Sequence, residues 1–311
     1  TDAARVQAND LARQIVAEGG ELTPQALTAL RQWSGEGAIG NSTSAYYTPH
    51  ALATFMWDVA QAAGDVTRTL EPSCGGGVFL ATAPRGTLLT GVELDETTAK
   101  VTQALHPHVT VHQAPFEQYN TQSEDAPFDL LIGNPPYGPR GASARLDRPD
   151  LDQATWYFLL EGLRHVKGGG LALMLVPENM IRNVSETAMR EALLDEAHLL
   201  SVNVIPEGAF RAAGAGVTTA LLVLRRHDNG VHEALAALSE EERRTLRDAR
   251  TAQDPALVRF LRGNLLFDQD AQGNWTLQYA FQPLGPRFKD AQVRAGRFGH
   301  PSYPGDLILD E

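Results

Sequence analysis

A single cysteine, Cys74, stands in 311 residues, so no disulfide can form within the chain and a reducing compartment is expected. No apolar run approaches the roughly 18 residues that crossing a bilayer takes. No basic-then-apolar leader opens the sequence at Thr1, which reads as a processed or trimmed start; a cytoplasmic protein with no membrane partner is expected. Positive charge is in deficit. With 26 Lys and Arg against 38 Asp and Glu the net charge is −12, which excludes a general polyanion binder but not a local basic face. Metal chemistry lacks its usual spacing: His106, His108 and His112 have no Cys partners and form no helical His-x-x-x-His pair, so no metal site is expected.

What is present is organised around Phe128 to Gly138, Phe-Asp-Leu-Leu-Ile-Gly-Asn-Pro-Pro-Tyr-Gly. A short apolar run of strand length stops on a polar, proline-locked loop. In an open α/β sheet, ligands bind at the carboxyl ends of the strands, which puts Asn134 to Tyr137 where chemistry is expected. Pro135 and Pro136 fix φ and remove two backbone donors, leaving the carbonyls of Asn134 and Pro135 as acceptors. These parts suit a flat molecule with an exocyclic amino group. Asn134 and the Pro135 carbonyl would accept its two N–H bonds while Tyr137 stacks on its face. Arg140, Arg145 and Arg148 follow closely, and if they face one way they could hold phosphate beside the loop. From Gly138 to Arg226 ten Lys/Arg balance ten Asp/Glu, so the acid lies in the flanks.

A second motif precedes it. Thr67 to Glu71 reads as a strand giving way to Pro72-Ser73-Cys74-Gly75-Gly76-Gly77, a turn that lets a ligand approach the backbone closely. The missing Walker lysine excludes the usual triphosphate cradle. Leu88 to Asp95 is another strand ending in acid, and a carboxylate about 20 residues beyond a glycine turn is placed to accept two ribose hydroxyls. Glu93 is that carboxylate, and an adenosine-like cofactor is implied.

The remaining periodicities predict helices through Val6 to Val16, from Thr23-Pro24 to Trp33, and from Pro49 past Val59 with Thr48 as cap. Further helices are expected over Glu96 to Leu105, Trp156 to Val166 and Glu186 to Glu196. Strands are expected over Val109 to His112, Leu171 to Val176, Leu199 to Ile205 and Thr218 to Leu224. Alternation of this kind predicts an α/β fold: a doubly wound, mostly parallel, seven-stranded Rossmann-like sheet. A helical segment and linker (1–44), a principal domain (45–226) and a small extension (227–311) complete the expected plan. Within the extension, Glu233 to Arg250 reads as one charged helix.

With these motifs in this order, the chain resembles the amino-methylating DNA adenine methyltransferases that use S-adenosyl-L-methionine, in the arrangement where cofactor motifs precede the catalytic one. The resemblance covers about Tyr46 to Arg226 and rests on Tyr47-Thr48-Pro49, Glu71 to Gly77, Gly91 to Asp95 and Asn134 to Tyr137. It implies that Thr48 lies near the methionine carboxylate, that Glu71, Cys74 and Gly75 line the methionine end, and that Glu93 holds the ribose. Leu94 and Phe158 would flank the cofactor adenine, with Phe116, Glu117 and Asn134 also bordering the cofactor. Asn134, Pro135 and Tyr137 would be catalytic, and Phe210 would stack on the flipped base opposite Tyr137. One stretch departs from the pattern: where the family carries an acidic residue before a Phe, this chain has Gln113-Ala114-Pro115-Phe116-Glu117, so Gln113 or Glu117 replaces that contact or it is lost. This variant looks most like methylase domains on large plasmid or phage proteins that carry a helicase. The implied activity is methyl transfer to adenine N6 of base-flipped DNA, with a recognition or helicase module, separate or fused C-terminally, as partner. The tetrapeptide also occurs in methyltransferases of a protein glutamine amide and of ribosomal RNA guanine, and a catalytically silent DNA-binding domain is a third alternative.

Overall fold

The computed structural model describes residues 2–19, 22–33, 35, 48–123, 125, 127–141, 148–205 and 218–263, with the short stretches 268–269, 275–276 and 278–280. Two helices open it, α1 (Asp2–Glu18) and α2 (Pro24–Leu30), followed by α3 (His50–Ala63), β1 (Arg68–Glu71), α4 (Val78–Thr82), β2 (Leu88–Glu93), α5 (Glu96–Leu105), β3 (Thr110–Gln113), α6 (Phe116–Gln122) and β4 (Phe128–Gly133). The second half runs through α7 (Ala154–Arg164), β5 (Val166–Pro177), α8 (Glu178–Arg182), α9 (Thr187–Glu196), β6 (Ala197–Ile205) and β7 (Thr219–Arg226). It closes with α10 (Asn229–Ala236), α11 (Glu240–Thr251), α12 (Pro255–Leu261), β8 (Asp268–Gln269), β9 (Trp275–Thr276) and β10 (Gln278–Ala280).

The main sheet has the order β10-β6-β7-β5-β4-β1-β2-β3. β1 to β5 pair in parallel, while β7 runs antiparallel between β5 and β6. The seven expected strands are therefore present, and β10 adds an eighth at the β6 edge. The apolar run of β5 is explained by burial on both faces. Ala172, Met174 and Val176 join the core under α6, α7 and α9, whereas Leu171, Leu173 and Leu175 join the core under α3. β7 repeats the pattern, with Leu222 and Leu224 on one side and Leu221 and Val223 on the other. A third, smaller cluster of Ala12, Leu30, Trp33 and Val101 seats the N-terminal helices on α5, where Trp33 Nε1 donates to Thr98 Oγ1 at 3.2 Å.

Several local expectations are corrected. Thr48 does not cap α3; Pro49 occupies the cap position with no side-chain hydrogen bond, because the helix starts at His50. The helix expected to run to Val166 ends at Arg164, and Val166 already opens β5. The single charged helix expected over Glu233 to Arg250 is two, α10 and α11. Ser239 breaks it, accepting from the Glu242 N–H while the Glu242 carboxylate accepts from the Ser239 N–H, a reciprocal cap whose Ser-x-x-Glu signature was in the sequence. The short helix α8 had no forecast at all.

Candidate active site

Three strand ends converge at one edge of the sheet. Beyond β1 the chain turns at Gly75 (φ +49°) and Gly77 (φ +80°), in the left-handed region where a side chain would be strained, and Gly77 opens α4. The Gly75 N–H donates to Glu93 Oε2 at 2.9 Å, and Glu93 Oε1 accepts from the Asp95 N–H at 2.8 Å. The carboxylate expected to hold a ribose thus also pins the glycine turn, and each of its oxygens keeps a lone pair. Burial raises its pKa, opposed by these two N–H bonds. From behind, Thr102 Oγ1 on α5 donates to the Gly75 carbonyl at 2.6 Å, and the His106 ring packs where a Gly77 side chain would go. Neither residue carried a sequence signal, because the contacts cross elements.

Glu71 ends β1, is 2% exposed, and its Oε2 finds no hydrogen-bond partner among the described residues. Burial, and then the charge of Glu93, push its pKa well above the usual carboxylate range. A buried carboxylate without a donor is costly, which fits a site built to receive a cationic or N–H-bearing group. Pro72, next in the chain, touches the end of β4: its Cδ lies 3.4 Å from where a Gly133 Cβ would stand. Ser73 Oγ is 3.5 Å from the Asn134 carbonyl. The glycine turn and the Asn-Pro-Pro-Tyr loop are therefore in direct contact.

In that loop Tyr137 Oη donates to Asn134 Oδ1 at 2.7 Å, so the amide acceptor is held by the neighbouring phenol. The Pro136 carbonyl accepts from Thr155 Oγ1 at 3.0 Å, fastening the loop to the start of α7. Leu94 is 64% exposed at the rim, and Gln113 Nε2 donates to its carbonyl at 3.0 Å, which brings the departing stretch beside the residue expected to flank adenine. Thr48 is buried just ahead of α3, and Phe158 is buried on α7.

Other expected contacts fall elsewhere. Cys74 is a packing residue. Its Sγ lies 2.9 Å from where a Gly91 Cβ would be, its N–H is bound to the Val92 carbonyl, and burial raises its thiol pKa. Phe116, 2% exposed, stacks on Phe158 at 4.8 Å and supports that ring from within the core. Glu117 is engaged by Arg140, 3.2 Å away, and Arg140 is itself buried, so it is not available to a phosphate-holding face; Arg148 pairs with Asp150 and Glu161. Arg145 and Phe210 lie outside the described residues.

The family model for N-6 DNA methylases matches residues 37–248. The chain belongs to the N-6 DNA methylase family. Membership implies S-adenosyl-L-methionine as methyl donor, and the unpartnered Glu71 oxygen, the open glycine turn and Glu93 fit such a group. Among relatives, this N-6 DNA methylase is 33% identical over 310 residues to defense against restriction protein B of Escherichia phage P1, covering 99% of this chain and 13% of that one. It is 25% identical over 196 residues to a type II methyltransferase of Paramecium bursaria Chlorella virus XZ-6E, covering 60% of this chain and 49% of that one. The chain thus spans under half the length of both curated relatives. In fold it is similar to the methyltransferase subunit of a type I restriction-modification system from Streptococcus thermophilus, with TM-score 0.55, 18% identity, and coverage of 91% of this chain and 64% of that one. Among the described residues no helix is long and apolar enough to cross a membrane.

Proposed function

We propose that this chain methylates the exocyclic N6 amino group of an adenine flipped out of DNA. The observation that carries the reading is the contact between the Glu71-Pro72-Ser73 turn and the Gly133-Asn134 loop, which sets the donor-binding turn against the amino-binding loop. S-adenosyl-L-methionine, when bound, supplies an electrophilic methyl group on a sulfonium. Glu71 would meet its cationic amino group, Thr48 would lie near its carboxylate, Glu93 would hold the ribose hydroxyls, and Leu94 with Phe158 would flank its adenine.

The amino group of adenine is a poor nucleophile because its lone pair is shared with the ring. Asn134 Oδ1 and the Pro135 carbonyl accept its two N–H bonds, draw the nitrogen toward tetrahedral geometry and stabilise the positive charge that grows on it. No strong general base is needed, since the methylated ammonium is acidic, and the loop accordingly holds Asn where a base would be Asp or His. For the base to enter, the Tyr137 hydroxyl must release Asn134, after which the ring is available to stack. Flipping costs a few kcal/mol, offset by stacking on Tyr137 and Phe210.

DNA is the substrate this reading requires. At −12 the chain has weak long-range attraction for phosphate. A DNA-recognising or helicase module, separate or fused after this chain, is the partner we infer. The lengths of the relatives support it.

Incubation with radiolabelled donor and, side by side, plasmid DNA, ribosomal RNA or a total protein extract, followed by digestion to nucleosides or amino acids, should yield label as N6-methyladenine from the DNA. Label found in guanine of ribosomal RNA or in a protein glutamine instead would sink the reading. Glu93→Ala should weaken donor binding by roughly 2–4 kcal/mol through lost charge-assisted hydrogen bonds. Unchanged affinity in calorimetry would remove Glu93 from the ribose site.

A further inference from the structure

Arg140 lies six residues beyond Asn134, in a loop rich in Gly and Pro, where an arginine would ordinarily reach into water. Its side chain is 1% exposed. The guanidinium lies 3.6 Å from the ring centroid of Tyr157 on α7. Nε and Nη2 both reach Glu117 Oε1 on α6, each at 3.2 Å. Nη1 donates to the carbonyls of Arg148 at 3.1 Å and Leu151 at 2.9 Å, and the backbone N–H donates to Asp152 O at 2.7 Å. One cation therefore fastens both arms of the 138–153 stem and joins them to two helices.

That stem is continuous with the catalytic loop. A bridge pairs Pro139 with Gln153, and the Ala154 N–H donates to the Gly138 carbonyl at 2.9 Å, one residue past Tyr137. At its other end the cation holds α6, the helix that carries Phe116 beneath Phe158 and follows Gln113, which is tied to Leu94. A buried charge survives only with partners, and an apolar side chain could fill this space at less cost. What an apolar side chain would lack is the directional tie to a carboxylate on one helix and carbonyls on the stem.

We propose that Arg140 is a positioning residue that, through Glu117, fixes the catalytic loop relative to the adenosine end of the donor site. The inference deepens the proposed function and rests on that reading. Glu117, displaced from the direct cofactor role the family pattern assigns near it, acts here as the anchor of this tie. The same stem explains why the Asn-Pro-Pro-Tyr loop can be set accurately although it follows a strand with no helix directly behind it.

Steady-state methylation of plasmid DNA by the full chain, run well below the unfolding temperature of each variant, tests this. Arg140→Met should lower kcat by about tenfold or more, since a misplacement of about 1 Å can cost on the order of 100-fold, while the KM for donor moves less. Arg140→Lys, which keeps the charge but not the fork, should recover part of the loss. Arg247 on α11 is the control: it is 7% exposed and paired with Asp195 at 2.8 Å and Glu191 at 3.2 Å, remote from the strand ends of the site. Arg247→Met should lower Tm and leave kcat unchanged. Combining Glu117→Met with Arg140→Met should cost no more than the worse single change, because the two act as a unit. The inference falls if kcat in Arg140→Met stays within about twofold of wild type, a change worth under 0.5 kcal/mol, if Arg247→Met loses as much, or if the losses at positions 117 and 140 multiply in full. A wild-type chain that neither binds donor in calorimetry nor methylates DNA would overturn the functional reading itself, and this inference with it.

Discussion

Arg190 and Glu71 are both withdrawn from water, at 0% and 2% exposed, yet their surroundings differ in kind. Arg190 on α9 leaves its Nε without a partner among the described residues, but its terminal nitrogens donate to the carbonyls of Met180, Asn183 and Leu261 and to Thr187 Oγ1, at 2.7 to 3.2 Å. It binds α8, α9 and α12 into one seam. Glu71 has an oxygen with no donor and a second carboxylate, Glu93, close enough to raise its pKa. A buried cation that makes four hydrogen bonds ties elements together, whereas a buried carboxylate with an unpartnered oxygen and a like charge beside it marks a place where something else is to bind. The contrast separates the seam that holds the molecule together from the edge that acts.

Variants on the two sides should therefore fail in opposite ways. Asn134→Ala should have the largest effect, a loss of methyl transfer of about 100- to 1,000-fold, as for removal of one group that stabilises developing charge. Donor affinity and Tm should be unchanged, and a parallel loss of donor binding in calorimetry would mean that Asn134 belongs to the donor site instead. Arg190→Met should do the reverse, lowering stability by roughly 3 kcal/mol as buried carbonyls lose their donor. Urea unfolding measures this, and donor affinity should persist in the folded fraction.

Glu71 offers a pH test. Its proton is held more tightly in the folded chain than in the unfolded one, so the unfolded chain loses that proton first and stability falls as pH rises above the ordinary glutamate range, until the raised folded value is passed. Glu71→Gln should flatten that part of the Tm profile and also weaken donor binding. In the wild type a cationic group beside Glu71 favours the ionised form, so donor affinity should grow with pH over the same window; a pH-independent affinity would contradict the assignment. The smallest effect is expected at Tyr137. Tyr137→Phe keeps the stacking ring and merely frees Asn134 of a competing donor, so activity should be retained, whereas Tyr137→Ala should lose about 1–3 kcal/mol of base stacking. Equal activity in Tyr137→Ala and wild type would remove the ring from the base site.

Much of the fold was legible because its signals are local. The β5 run reads as a doubly covered strand, Glu96 to Leu105 forms the helix its pattern predicts, and Thr23-Pro24 caps α2 as expected, with Thr23 Oγ1 accepting from the Ala26 N–H at 3.2 Å. What was missed depends on contacts distant in sequence. Arg140 reads as a solvated loop arginine until Glu117 and Tyr157 are seen beside it. Cys74 reads as a turn residue open to ligand until Gly91 turns out to make room for its sulfur. The hydrogen bond between Tyr137 and Asn134 is local, but nothing in a tetrapeptide says which acceptor the phenol will choose.

The order of strands has a consequence for turnover on the reading proposed. The turn after β1 and Glu93 at the end of β2 lie to one side of β4, while the ends of β6 and β7, paired at Ile205 and Thr219, lie to the other beyond β5. On that reading the methyl donor and the base it modifies would approach Asn134 from opposite sides of β4. If the proposed reading holds, a spent donor would have its own way out beside β1 and β2, and its exchange would not require the nucleic acid to leave.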